Sequence, residues 1–331
     1  MTKHFSVPPS RDGVGPSCVG LPPGPWRSML DFFEQRFPSI SRALWQQRME
    51  QGLVIDEHGL AVTPDRPYQA QQRAYYYRAV AAEPRIPFDE TVLYQDEHLV
   101  VADKPHFLPV VPSGNYLNET LLLRLRQKLG LAALVPIHRI DRDTAGLVLF
   151  SVQPASRAAY SALFAQRQVK KTYEAIAPWR SDLSFPLTRT SRMVEAGHFM
   201  LQHEVAGVAN AITHIDLLEV HGDLARYALS PVTGKRHQLR VHMAALGLPI
   251  LGDGLYPTLT PEGQIDYDRP LQLLARSIEF VDPISAELRR FESMQRLTLL
   301  SHRPCSRDRD GGAFSAAASR RSPKDGGQPR S

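Results

Sequence analysis

The chain has 331 residues, of which 43% are hydrophobic and 22% are charged, and its formal net charge is +5. This length and composition predict a globular protein with one large and one small domain. No apolar run reaches the length of a membrane span, and residues 1–26 lack the apolar core of a signal peptide, so we expect a cytoplasmic protein.

The positive charge is concentrated at the carboxyl end. Residues 303–331 hold seven Lys or Arg and three Asp, so four of the five net positive charges lie there. Overall basicity therefore does not show that the folded part binds nucleic acid. We expect 303–331 to be a disordered basic tail and 1–27, rich in Pro and Gly, to be a disordered arm. Both cysteines, Cys18 and Cys305, fall in these segments without metal-binding or disulfide spacing.

Residues 28–85 are predicted to form a small α+β domain. "SMLDFFEQRF" and "SRALWQQRMEQG" have the apolar spacing of helices, with Ser39 or Ser41 capping the second and Gly52 ending it. "LVIDEHGLAVT" predicts two strands around a turn at residues 57–59. The arginines of this domain could contact RNA or form an ordinary solvated face; they are Arg36, Arg42, Arg48 and Arg73.

Residues 86–302 alternate strands with helices of unequal length. "TVLYQDEHLVVADKP" predicts two strands, and "NETLLLRLRQKLG" predicts a helix capped by Asn118 and ended by Gly130. Further strands are predicted in "GLVLFS", "KKTYEAIA", "AITHIDLLEV" and "ARYALSPV", and further helices in "PASRAAYSALFAQRQ" and, after Gly234, in "TGKRHQLRVHMAALG". This order indicates an α+β fold with a largely antiparallel sheet.

One carboxylate stands among cations in "HRIDRDTAGLVLF", where Asp141 is flanked by His138, Arg139 and Arg142. Nearby cations favour the ionised form of a carboxylate, and a carboxylate attacks as the anion. The alternative is an ordinary ion pair in a loop, and the local sequence alone favours it.

A second basic cluster lies in "TGKRHQLRVHM", at the predicted start of a helix where exposed amides favour an anion. Arg240 follows His237 by three residues and shares its helix face. His242 lies about 140° around the helix from His237, which argues against a metal site on these two histidines. The sequence contains no P-loop, dinucleotide fingerprint, HExxH or GxSxG motif, so we expect chemistry without nucleotide or metal.

The order of four segments resembles the RluA-type family of RNA pseudouridine synthases. They are "VLYQDEHLVVADKP", "HRIDRDTAGLVLFS", "KKTYEAI" and "PVTGKRHQLRVHMAALGLPILGDGLYP", within residues 90–258. Residues 28–85 resemble a degenerate S-four-type RNA-binding domain. The resemblance implies a pseudouridine synthase fold, with a mixed, mainly antiparallel sheet and a central RNA-binding cleft. It also implies a reaction that detaches uracil from ribose and rejoins it through carbon five, without a cofactor.

The resemblance assigns roles by motif. Asp141 falls on the catalytic aspartate, either a nucleophile at the anomeric carbon or a base on the neighbouring carbon, and Arg240 on the arginine that pairs with it. Tyr173 falls on the tyrosine that stacks on the target base, and Arg139 on the arginine that fills the gap left by the flipped nucleotide. The other residues expected to contact RNA are Lys104, His138, Arg142, Lys235, Arg236 and His237.

The sequence departs from the family pattern at two places. Thr144-Ala145-Gly146 replaces Thr-Ser-Gly, and His106-Phe107 stands where the family has a residue followed by glycine. The second change affects a loop near the cleft and bears on target choice.

Two rival hypotheses remain at this point. One is a non-catalytic RNA-binding or ribosome-assembly protein, and the other is a metal-dependent hydrolase built on His138, Asp141, His237 and His242. For the synthase, ribosomal RNA and transfer RNA are both open as substrates, and we favour ribosomal RNA. We also expect a monomer, because no assembly motif is present.

Overall fold

The computed structural model describes residues 8–9, 11, 14–78, 83–114, 116–197, 201–260 and 265–298, all within one unit, Met1–Leu299. The predicted tail at 303–331 and Cys305 lie outside the described residues. The described helices are α1 (Met29–Arg36), α2 (Arg42–Glu50), α3 (Leu121–Leu129), α4 (Pro154–Ala165) and α5 (Gln238–Ala245). The described strands are β1 (Ser17–Gly20), β2 (Val54–Asp56), β3 (Arg73–Tyr76), β4 (Thr91–Gln95), β5 (Leu99–Lys104), β6 (Val135–Pro136), β7 (Ala145–Ser151), β8 (Lys170–Pro178), β9 (Leu187–Glu195), β10 (Gln202–Val205), β11 (Ala211–His221), β12 (Leu224–Pro231), β13 (Leu273–Val281) and β14 (Leu288–Glu292).

A large sheet runs in the order β10-β9-β11-β12-β8-β13-β7-β5-β4, with β14 paired to β13 and β6 paired to β7. Within the described part of the chain, β13 and β7 pair in parallel and the remaining neighbours pair antiparallel. The predicted α+β fold with a mixed, mainly antiparallel sheet is therefore confirmed. None of the described helices has the length and hydrophobicity that a bilayer crossing requires.

Strands β5 and β7 are buried on both faces, and this places the sheet between helices. On one face Val100 and Val148 pack against α3, and on the other Val101 and Leu149 pack in the cluster that contains Tyr160 of α4. Strands buried on both faces read as continuous apolar runs, as "LVVA" and "GLVLF" do. Helix α5 packs in a further cluster with β8 and β12. The hydrophobic clusters at β5 and β7 are therefore separate from the cluster at β8.

The ends of two helices test the predicted caps. Ser41 caps α2 by accepting from the Leu44 amide, as one of the two predicted candidates. The predicted cap of α3 is wrong: Thr120, not Asn118, accepts from the backbone amide of the first turn. The amide of Asn118 instead donates to Glu83, which fixes the segment before the helix and leaves the cap to Thr120.

The N-terminal segment has a three-stranded sheet in the order β1-β3-β2, and α1 and α2 pack in its core with Phe32, Phe33 and Trp45. Two predictions about it are wrong. Strand β1 lies inside the predicted arm, because Val19 is buried where β1 pairs with β3. The second strand of the predicted hairpin is reduced to one bridge at Ala61, because β3 takes the place beside β2. Exposed Cys18 is therefore part of a strand.

Two of the four arginines proposed as RNA contacts in this domain are engaged within the protein. Arg42 forms ion pairs with Asp31 and Glu34. Arg48 is buried and its guanidinium lies 5.1 Å from the ring centroid of Trp45. The solvated-face interpretation therefore fits Arg42, and a packing role fits Arg48.

Candidate active site

The loop that carries Asp141 connects β6 with β7, and His138 fastens it to the sheet. The Leu149 amide donates to Nε2 of His138 at 3.1 Å, and the imidazole stacks on Phe164 with centroids 4.6 Å apart. Burial, together with the charge of Lys171, lowers the pKa of His138 to about 3. The ring is therefore neutral and supports the loop, and the contact of His138 with RNA stays a prediction.

Gly146 allows this loop to enter the sheet. Its φ is +107°, and a Cβ there would lie 2.3 Å from the carbonyl oxygen of Ala275 on the parallel neighbour β13. A side chain at this position would meet rigid backbone in a conformation that suits glycine. The retained glycine of Thr144-Ala145-Gly146 is thus a requirement of the strand contact.

The basic side chains that face Asp141 come from α5 and the turn before it, and burial lowers the pKa of His237, so Arg240 is the charged one at neutral pH. Nη1 of Arg240 lies 3.6 Å from Oδ2 of Asp141, and Nε2 of His237 lies 3.8 Å from Oδ1. The sequence neighbour Arg142 donates instead to Asp143 at 2.8 Å, and Arg139 is exposed. The carboxylate therefore lies beside a cation as predicted, but that cation, Arg240, is distant in sequence.

Helix α5 begins later than the sequence predicts. It starts at Gln238, and His237 has a left-handed backbone with φ +56°. The reason is the side chain of Gln238, whose Oε1 accepts from the Thr233 hydroxyl at 2.7 Å and from the Lys235 amide at 3.0 Å. These bonds fold the preceding residues into a turn. Lys235 and Arg236 are exposed on that turn, so they do not belong to a helix start.

Asp253, which was not among the predicted site residues, holds Arg240. Nε and Nη2 of Arg240 donate to the two carboxylate oxygens of Asp253 at 2.9 and 2.6 Å, and the two side chains are 2% and 1% exposed. Burial opposes the charge of Arg240, but the bonds and charge of Asp253, with the charges of Asp141 and Asp143, raise its pKa above the ordinary range. The only sequence signal was an acidic residue after an apolar run, in "GLPILGDG".

Asp253 also orders the residues beside His237. Its Oδ1 accepts from the amides of Leu255 and Tyr256. The Tyr256 hydroxyl lies 3.0 Å from Nδ1 of His237. Both neighbours of Asp141, Arg240 and His237, therefore depend on the turn that Asp253 stabilises.

Tyr173 lies on β8 between β12 and β13 and shares a small cavity with His138 and Lys171. Burial and the negative charge of Asp141 raise the pKa of the Tyr173 phenol above its ordinary range, so the hydroxyl keeps its proton at neutral pH. Lys171 lies two residues before Tyr173 and therefore on the same face of the strand. It was not among the site residues that the sequence predicted.

Lys104 does not face RNA, contrary to the prediction. Its side chain is fully buried, and Nζ donates to the carbonyl oxygens of Pro105 at 2.8 Å and Arg142 at 2.9 Å. Burial lowers its pKa to about 7. Lys104 therefore stabilises the backbone of the Asp141 loop from the protein interior.

The residues of the metal-hydrolase hypothesis are not gathered at one point. His242 is fully buried, with Nδ1 2.9 Å from the Thr213 hydroxyl and Nε2 3.0 Å from the Ser191 hydroxyl. Within the described ranges, no group of three or more His, Cys, Asp or Glu could hold a metal ion. His242 therefore links α5 to β9 and β11.

Comparisons with known proteins identify the family of the chain. Residues 98–245 match the family described as RNA pseudouridylate synthase. An uncharacterised RNA pseudouridine synthase of Synechocystis is 33% identical over 238 residues, 69% of this chain and 79% of that protein. The dual-specificity RNA pseudouridine synthase RluA of Haemophilus influenzae is 32% identical over 212 residues, 61% of this chain and 91% of that protein.

Two further similarities extend the comparison. The ribosomal large subunit pseudouridine synthase D of Xylella fastidiosa is 30% identical over 270 residues, 76% of this chain and 80% of that protein. The solved structure of human RNA pseudouridylate synthase domain containing 1 matches the fold with a TM-score of 0.53 at 21% identity, over 65% of this chain and 86% of that one.

The family match begins at residue 98, so the S-four-like assignment of residues 28–85 stays a prediction. Two relatives are 32–33% identical to this chain over most of their own length, and they confirm the resemblance of the catalytic part. Isomerase activity replaces the binding-only hypothesis, and the chain belongs to the RluA-type RNA pseudouridine synthases.

Proposed function

We propose that this isomerase converts specific uridines in structured ribosomal RNA to pseudouridine, with Asp141 as the reacting carboxylate. The observation that carries the proposal is the setting of Asp141. Its side chain is 28% exposed, so a substrate can reach it, while the neighbouring Arg240 is only 2% exposed and fixed in place. An accessible anion beside a buried, oriented cation suits a group that reacts in its charged form.

The proposed chemistry exchanges one bond of the nucleotide for another. Asp141 acts on the ribose, either at the anomeric carbon or on the neighbouring carbon, and the bond from C1′ to N1 of uracil breaks. The freed uracil turns, C1′ joins its carbon five, the proton on carbon five leaves, and N1 regains a proton. The atoms of the nucleotide are unchanged, so the reaction needs no oxidant, reductant or group donor.

Tyr173 fits the base side of this reaction. Its ring offers a surface on which uracil can stack, and its raised pKa keeps the phenol neutral. A neutral ring beside Asp141 leaves that carboxylate as the negative group of the site. We assign Tyr173 to stacking on the uracil. A phenol that keeps its proton cannot accept the proton of carbon five, so that proton leaves to solvent.

Base access requires the target uridine to leave its stack. Exposed Arg139 is in a position to fill the gap, and exposed Lys235 and Arg236 on the turn before α5 are suited to phosphate contacts. These cations bind backbone and do not select a sequence. The preference for ribosomal RNA is supported by the Xylella fastidiosa relative, which is named for the large ribosomal subunit and aligns over 270 residues.

Tritium release from uridine labelled at carbon five tests this proposal. Unmodified transcripts of large-subunit ribosomal RNA and of a transfer RNA pool are incubated with the full chain under identical salt. We expect release from ribosomal RNA at a rate at least about tenfold above that from transfer RNA. Faster release from transfer RNA would contradict the substrate assignment, and release undiminished by Asp141→Ala would contradict the assignment of Asp141.

A further inference from the structure

The turn after β5, residues 104–108, lies directly against the loop that carries Asp141. Where the family pattern has glycine, this chain has Phe107 with φ +66°. A left-handed backbone suits glycine and strains a residue with a large side chain. Such strain persists only where surrounding contacts compensate for it. The contacts of Phe107 therefore indicate how this turn is stabilised.

An aromatic cluster holds Phe107. The side chain is 7% exposed, and its ring stacks on Phe88 at 6.0 Å and 22°. Its centroid lies 5.1 Å from that of Tyr267, edge to face, and Tyr267 in turn contacts Phe88 at 5.5 Å. Burial and edge contacts of three rings offset the backbone strain. The direction of the preceding side chain, His106, is fixed as a result.

His106 contacts the backbone of the catalytic loop. Its Nδ1 lies 2.8 Å from the carbonyl oxygen of Asp143. A carbonyl oxygen only accepts, so Nδ1 carries the proton. Burial lowers the pKa of His106, so the neutral ring with a proton on Nδ1 is the resident form.

His106 acts beside Lys104. Nζ of Lys104 donates to the carbonyl oxygen of Arg142 at 2.9 Å. Two consecutive carbonyl groups that follow Asp141 are therefore each held by a donor from the same short turn. The side chains of Arg142 and Asp143 bond to each other. Their backbone carbonyl groups are instead bound by the turn of residues 104–108, which lies outside the loop.

We propose that His106 is a positioning residue of the reaction: its bond to the Asp143 carbonyl, aimed by the strained backbone of Phe107, fixes where the Asp141 carboxylate meets the ribose. This role rests on the proposed function of Asp141. The residue falls at a position that the family motif leaves variable. A small displacement of a reacting group slows the chemical step more than it weakens binding.

The test compares three variants of the full chain in the tritium-release assay on a ribosomal RNA transcript. His106→Ala removes the donor, and His106→Asn retains a donor at the position of Nδ1. His221→Ala is the matched control, because His221 is an exposed histidine at the end of β11. We expect kcat to fall at least about tenfold in His106→Ala with KM within twofold, to recover to within about threefold of wild type in His106→Asn, and to be unchanged in His221→Ala.

Two results would overturn the proposal. One is a wild-type kcat in His106→Ala. The other is an equal loss in His106→Ala and His106→Asn, which would make the ring a packing element. Asp141→Ala is measured alongside: if it turns over at the wild-type rate, the assignment of Asp141 fails, whereas an inactive Asp141→Ala beside a fully active His106→Ala refutes only the role of His106.

Discussion

Arg240 faces Asp141 with one nitrogen, Nη1, at 3.6 Å. That distance exceeds a hydrogen bond, so Arg240 attracts the carboxylate without occupying its lone pairs. The other two nitrogens of the guanidinium, Nε and Nη2, donate to the carboxylate of Asp253 at 2.9 and 2.6 Å. The orientation of the cation is therefore set before RNA arrives, and the oxygens of Asp141 remain available to the ribose.

The buried pair of Arg240 and Asp253 makes a stability prediction. Removing one partner leaves an uncompensated buried charge, so we expect Asp253→Ala to lower the free energy of unfolding by about 3–5 kcal/mol. The double variant Asp253→Ala with Arg240→Met removes both charges and should be more stable than Asp253→Ala alone. Urea titration followed by far-ultraviolet circular dichroism measures both. A double variant less stable than the single one would contradict this account of the pair.

Gly146 makes a second prediction about stability. Gly146→Ala should cost more than about 2 kcal/mol, because its Cβ would meet the Ala275 carbonyl oxygen at 2.3 Å with φ +107°. Gly222→Ala is the control, since Gly222 also has positive φ, +59°, but nothing lies within 4 Å of its added Cβ. It should cost about 1 kcal/mol. Equal losses for the two variants in thermal denaturation would show that the contact with β13 is not limiting.

The parts of the fold that the sequence predicted are those that local patterns encode. The continuous apolar runs of β5 and β7, the apolar stripe of α3 and its end at Gly130 all follow from periodicity and backbone preference. Strand β1 was missed because its stability comes from pairing with β3, far along the chain. The sequence also did not predict six further strands, which are β3, β6, β9, β10, β13 and β14.

The site was predictable as a set of motifs but not as a geometry. The motif order brought Asp141, Tyr173 and Arg240 into one hypothesis, and the structure places His237 and Arg240 at Asp141. The sequence could not predict that Asp253 pairs with Arg240, because a pairing between buried residues leaves no local sequence pattern. Lys104 was misassigned for a related reason: a cation in a motif does not show whether it is buried.

His242 predicts an acid sensitivity of the fold. Burial lowers its pKa from 6.5 to about 4, so the unfolded chain binds a proton between these values and the folded chain does not. The contribution of His242 is complete above pH 6.5 and is lost as the pH falls toward 4. From pH 7 to pH 5, wild type should lose about 2 kcal/mol more than His242→Gln. Urea titrations at both pH values measure this, and parallel losses would refute it.

The exposed cations before α5 predict a salt dependence. If Lys235 and Arg236 each contact one phosphate, Lys235→Ala with Arg236→Ala should reduce the slope of log K against log salt by about 1.4–1.8. Arg290→Ala is the control, because Arg290 is 63% exposed and lies on β14. Binding of a ribosomal RNA transcript is measured by filter retention between 50 and about 200 mM salt. An unchanged slope would place the RNA backbone elsewhere.

The central claim is that Asp141 reacts as a carboxylate held by Arg240. The most direct measurement is single-turnover tritium release from a carbon-five-labelled ribosomal RNA transcript, for wild type and the isosteric Asp141→Asn. The account predicts that Asp141→Asn binds the transcript with a Kd within about fivefold of wild type and releases tritium at least about 1,000-fold more slowly, as removal of a reacting group does. Release by Asp141→Asn within about tenfold of wild type would contradict it.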